Sequence, residues 1–215
     1  VADGQGQGTI TNDDPAGVTI NPTSGLTTTE TSGTATFTVA LNTQPSSDVA
    51  IDLSTSDNTE GTISPTSLTF TPTNWNVSQT VTITGVDDAL ADGDISYTIQ
   101  TGAATSSDAN YSGLDPADVS ITNIDDDTAG VTINPTGGLA TTETGGTATF
   151  TVALNTQPSS DVAIGLSTSD NTEGTVSPTS LTFTPANWDV SQTVTISGVD
   201  DALADGDISY TIQTG

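Results

Sequence analysis

Lysine, arginine, histidine and cysteine are all missing from this chain, and what remains of its charge has one sign. Twenty-three Asp and four Glu give a formal charge of −27 over 215 residues. A chain without a cation has nothing to set against a phosphate backbone, so nucleic-acid binding is excluded as a class. For the same reason it cannot read an anionic membrane surface. Without His, Cys, Lys or Arg there is no Ser-His-Asp or Cys-His unit, no Schiff-base lysine and no imidazole or thiolate metal site. Paired carboxylates and a hard metal held by oxygen are the chemistries left open. Self-repulsion at −27 calls for neutralisation, and the composition points to cations from solution.

Aromatic residues (4%) and apolar residues in general (32%) are also scarce, a balance that by itself resembles disorder. Periodicity says otherwise. Apolar residues fall at alternate positions in short runs, and 46 residues are Thr, a β-branched residue suited to strands. No apolar run approaches membrane-spanning length, so no membrane insertion is expected. The chain opens without a signal peptide and reads as a window cut from something longer. The lack of cysteine fits an extracellular bacterial surface protein stapled by something other than disulfides.

The segment GVTINPTSGLTTTETSGTATFTVALNTQP from Gly17 returns from Gly130 as GVTINPTGGLATTETGGTATFTVALNTQP, 113 residues later. Residues 17–102 and 130–215 differ at eight positions, the sharpest being Asp52 against Gly165. Within one repeat, alternation marks seven strands: Val18–Ile20, Ala35–Leu41, Val49–Leu53, Leu68–Phe70, Val81–Ile83, Ile95–Ile99 and Val119–Ile121. Turn clusters such as QPSSD and SDNTEG separate them. The expected fold is therefore all-β, with tandem Ig-like Greek-key sandwiches of about seven strands each. Trp75 and Tyr97 are expected to supply the bulk of the core. The domain reading is a final strand and linker in 1–14, repeat 1 in 15–127, and repeat 2 in 128–215 without its final strand. Two arrangements fit these ends: the polypeptide continues at both, or residues 1–12 of one copy complete residues 130–215 of the next in a head-to-tail filament.

Strand parity sorts the acids. Ten of the fifteen in residues 17–129 fall at one pole of the sandwich: Glu30, Asp57, Glu60, Asp87, Asp88, Asp92, Asp94, Asp125, Asp126 and Asp127. Such crowding calls for a multivalent cation. Ca²⁺ takes six to eight oxygen ligands in irregular geometry, whereas Mg²⁺ demands a tighter octahedron. No EF-hand or RTX loop is present, so the site is expected to be assembled from loops distant in sequence. Isolated acids such as Asp48, Asp108 and Asp161 read as solvated turn residues.

The stretch GVDDALADGDISYTI resembles the corresponding region of Calx-β domains, and GTITNDD at residues 8–14 resembles the end of such a domain. The resemblance implies a Ca²⁺ site at the pole where one module meets the next. It implies Glu30, either Asp57 or Glu60, Asp87, Asp88, Asp92 and Asp125–Asp127 as ligands in repeat 1. In repeat 2 it implies Glu143, Asp200, Asp201 and Asp205, with Asp13 and Asp14 matching the linker of a preceding domain. The expected role is a calcium-rigidified spacer of a secreted adhesin, biofilm matrix protein or surface filament, not an enzyme. Expected partners are neighbouring repeats of the same chain or of another copy. A second class, a module binding extracellular polysaccharide or a cell surface, would use Trp75 and Trp188 at their turns.

Overall fold

The computed structural model describes residues 5–204 and 206–215. The chain divides into two compact units, one of residues up to 88 with 94–125, the other of 89–93 with 126–215. Among the described residues all regular structure is β-strand.

The first unit has ten strands: β1 (Val18–Asn21), β2 (Leu26–Thr29), β3 (Thr34–Leu41), β4 (Val49–Thr55), β5 (Gly61–Ser64), β6 (Ser67–Phe70), β7 (Gln79–Gly85), β8 (Ile95–Thr101), β9 (Thr105–Ser106) and β10 (Val119–Ile124). They form an Ig-like sandwich of two sheets, ordered β1-β3-β7-β5 and β2-β10-β8-β4-β6, with β9 also on β4. Alternation explains the packing. Phe37, Val39 and Leu41 of β3 are buried against Val81 and Ile83 of β7, while Thr34, Thr36 and Thr38 face outward opposite Thr84, Thr82 and Thr80.

The seven expected strands correspond to β1, β3, β4, β6, β7, β8 and β10, whereas β2, β5 and β9 were not expected. From β1 beside β3 the chain crosses to the other sheet as β2, parallel to β10. Likewise β5 pairs with β7 and β6 with β4. A proline stands at each crossing, Pro22 and Pro65. Proline has no N–H to give a ladder, so pairing stops there and the chain can change sheets.

Tyr97 is buried as expected, but Trp75 only packs against the core from its edge. The largest fully buried side chain is Tyr111. It comes from the segment between β9 and β10, and its hydroxyl donates to the Thr43 carbonyl (2.6 Å) and accepts from the Thr43 N–H (3.1 Å). Asp108, expected to be a solvated turn residue, is also buried. Its carboxylate accepts the N–H groups of Ser46 (2.7 Å) and Asn110 (2.9 Å). These bonds hold it below the usual carboxylate range.

The second unit has β11 (Val131–Asn134), β12 (Thr147–Leu154), β13 (Val162–Thr168), β14 (Gly174–Ser177), β15 (Ser180–Phe183), β16 (Gln192–Gly198) and β17 (Ile212–Thr214). Its sheets are ordered β11-β12-β16-β14 and β15-β13-β17. The first matches its counterpart strand for strand. The second has no equivalent of β2 or β10 among the described residues, and β17 keeps three residues where β8 has seven.

Candidate metal centre

Parallel pairing of β2 with β10 sets Thr28 opposite Asn123 and Thr29 opposite Ile124. The pairing continues past the strand end, where the Glu30 N–H donates to the Ile124 carbonyl (3.1 Å). Glu30 is thereby fixed beside the point where Asp125–Asp127 leave β10, and is only 2% exposed. Glu60, immediately before β5, is 6% exposed, and its carbonyl accepts the Val86 N–H (3.1 Å).

Asn123, buried at 1% exposure, joins these elements. Its side-chain oxygen accepts the Thr28 hydroxyl (2.9 Å), and its amide donates to the Val86 carbonyl (3.0 Å) and the Glu60 carboxylate (3.4 Å). Gly85 belongs to the same arrangement, because a Cβ there would strike the Thr29 carbonyl and the Asn123 side chain. The Asp125 N–H donates to Asp94 (3.2 Å), tying the exit of β10 to the loop after β7.

Within the first unit, Glu30 offers an oxygen within 4.8 Å of one on Asp87 and of one on Asp125, and Glu60 offers one within 4.8 Å of one on Asp88. Glu30, Asp87, Asp88 and Asp125 are acids the sequence assigned to repeat 1, and Glu60, one of its two alternatives with Asp57, is the fifth. Asp57 instead closes its own turn, where its carboxylate accepts the Thr59 hydroxyl (2.6 Å) and N–H (3.0 Å), which lowers its pKa. Tyr97 lies nearby, and burial, with the charges of Glu60 and Asp57 adding to it, pushes its hydroxyl above the usual range.

The donor set fits a hard cation. It consists wholly of oxygen, it draws on four separated stretches of chain, and two of its carboxylates are buried in a protein with no positive side chain. Two unit charges 4.8 Å apart repel by about 1 kcal/mol in water and by about 3.5 kcal/mol at an effective dielectric constant of 20. A bound cation relieves repulsion of this kind, most of all around the buried Glu30 and Glu60.

The other assigned acids are not brought together. Glu143, Asp200 and Asp201 are exposed and belong to no set of three among the described residues. Asp201 instead accepts the Leu203 N–H (2.7 Å). Asp205 lies outside the described residues. Asp13 and Asp14 are exposed and line an open cleft of about 690 Å³ with Asp108 and Tyr111. Asn123 was missed by sequence reasoning. The signal was present in the repetition of Ile-Thr-Asn before an acidic run, at residues 10–12 and 121–123.

No family model and no curated protein matches the chain. Among solved structures it is similar to the crystal structure of CBD12 from CALX1.2, with 17% identity, a TM-score of 0.40, and 92% of this chain and 79% of that one covered. It is also similar to the apo-form Calx CBD1 domain, at 19% identity and TM-score 0.41, covering 52% of this chain and 98% of that one. The periplasmic chaperone SfaE matches at 11% identity and TM-score 0.41, covering 79% of this chain and 84% of that one.

Proposed function

We propose that the chain is a structural repeat module whose acidic pole holds calcium, and that it serves as a spacer in a secreted bacterial adhesin, biofilm matrix protein or surface filament. One observation carries the reading: the buried carboxylates of Glu30 and Glu60 lie within 4.8 Å of acids from other loops of the same unit, Asp87, Asp88 and Asp125, in a chain without a cation. Bound Ca²⁺ supplies the positive charge that the sequence lacks. Glu30 and Glu60, fixed by β2, β5 and Asn123, form the rigid part of the ligand set. Asp87, Asp88 and Asp92 come from the loop after β7, and Asp125–Asp127 from the segment that leaves β10. Sharing ions with Glu30 restrains that segment, which otherwise carries three adjacent like charges. A chain of repeats so restrained is stiff, and length with stiffness is what a spacer contributes. The role is structural rather than catalytic, and Trp75, packed on the core, offers little platform for sugar.

Calorimetric titration with Ca²⁺, paired with small-angle scattering in Ca²⁺ and in chelator, tests this. The expected result is binding in the 10⁻⁴ to 10⁻³ M range of extracellular modules, and a longer particle with calcium. Equal dimensions and no binding heat would refute it.

A further inference from the structure

We infer, building on the calcium reading above, that the Tyr97 hydroxyl is a positioning donor for the Glu60 carboxylate. Tyr97 stands on β8 and is 5% exposed, yet its hydroxyl oxygen is buried without a hydrogen-bond partner. A buried hydroxyl in that state costs free energy that a phenylalanine in its place would not. A tyrosine kept there under that cost calls for a use of its hydroxyl.

The surroundings supply one. The ring starts from the sheet that contains β8 and ends on the facing sheet, at the backbone of β5. A Cβ at Gly61, the first residue of β5, would strike the Tyr97 hydroxyl, so glycine is what leaves room for the ring to end there. The residue immediately before Gly61 is Glu60, and its charge, with that of Asp57, acts on the hydroxyl.

The other polar groups nearby are engaged elsewhere. Thr28 gives its proton to Asn123 (2.9 Å), and the Asp57 carboxylate accepts the hydroxyl and N–H of Thr59 (2.6 and 3.0 Å). Glu60 accepts the Asn123 amide on one carboxylate oxygen, at 3.4 Å. A carboxylate offers about four lone-pair sites, which leaves capacity for another donor. Carboxylates that hold a metal are themselves oriented by hydrogen bonds from groups behind them. Asn123 approaches Glu60 from β10 and Tyr97 from β8. These two strands are neighbours in one sheet, and together they fix an acid that stands on the other.

Calorimetric titration with Ca²⁺ and thermal melting in chelator test this on the 215-residue chain, on Tyr97→Phe, on Glu60→Ala and on the double variant. Tyr97→Phe should bind Ca²⁺ about tenfold more weakly. In chelator it should melt no lower than the parent, because it loses no bond. In the Glu60→Ala chain the same change should leave the remaining Ca²⁺ affinity as it was, since a residue that acts through another has no effect once the other is gone. Tyr111→Phe is the control for a structural hydroxyl. It breaks the bonds to Thr43, so it should melt lower in chelator and bind Ca²⁺ as the parent does. Parental Ca²⁺ affinity in Tyr97→Phe overturns the inference and leaves the calcium reading standing. So does a lower melting temperature of that variant in chelator, or an equal loss of affinity with and without Glu60. A parent chain that binds no Ca²⁺ overturns the reading and the inference with it.

Discussion

Ile95–Thr101 and Ile208–Thr214 are the same seven residues, ISYTIQT, yet the first is a continuous strand and the second is a strand over only its last three. Around them the surroundings differ while the sequence does not. The first unit's core holds sixteen buried residues and the second's seven. Four of the nine, Ala104, Tyr111, Val119 and Ile121, lie in residues 103–129, beyond the stretch that residues 130–215 repeat. The other five are identical residues, Leu154, Val162, Ile164, Tyr210 and Ile212, which are only partly buried. Strand formation here belongs to the sheet rather than to the strand. The acids follow the same rule, with Glu30 buried in a carboxylate set and Glu143 exposed outside one.

The largest test of this comparison is to damage β10. Ile121→Ala removes a side chain that is 1% exposed and should cost the first unit about 2–5 kcal/mol. The second unit should melt unchanged in the same calorimetric scan. If the thermal transition of the first unit stays put, β10 is not what distinguishes the two. Calcium comes next. At one hundred times its dissociation constant it should stabilise the first unit by about 2.7 kcal/mol, or roughly 10 °C for a domain of this size. Glu30→Gln should remove that shift and Glu143→Gln should leave it. Equal loss in the two variants would mean that both repeats bind alike.

Most of the fold was legible in the alternation, since β3, β4, β7 and β8 each place buried residues two apart. The sheet changes at Pro22 and Pro65 were not, because β2 (LTTT) and β5 (GTIS) are four residues long and too short to show a period of their own. The acids of the first repeat were legible because strand parity sends whole loops to one pole. Parity could not choose between Asp57 and Glu60, three residues apart. Thr59 donates to the Asp57 carboxylate, whereas Asn123 donates to Glu60, and neither bond is visible in the spacing. Nor could it tell Glu143 from Glu30, since both sit in the same local sequence, TTTET in one repeat and ATTET in the other. What separates them is a segment more than ninety residues further along the chain.

Acid separates the units by a smaller amount. Asp57 and Asp170 are equivalent residues, each held below the usual carboxylate range by the hydroxyl and N–H of the threonine two residues on. Their contribution is the same in both units. Asp108 is held low by the N–H groups of Ser46 and Asn110 and has no counterpart within residues 130–215. A carboxyl group with a depressed folded value binds protons more weakly in the native state than in the unfolded chain. Its stabilisation is therefore complete above the unfolded value, near pH 4, and disappears as pH falls through the folded one. Below about pH 4 the first unit should lose stability more steeply than Asp57 alone accounts for. Protonation of the carboxylate sets acts on the same range, so the comparison that isolates Asp108 is parent against Asp108→Asn. The variant should begin less stable at neutral pH, because asparagine offers one acceptor oxygen to two N–H groups. Its melting temperature should then fall less between about pH 5 and pH 2.5. Parallel curves would mean that the Ser46 and Asn110 bonds do not depend on the charge of Asp108, and that Tyr111 and the core around it hold this segment on their own.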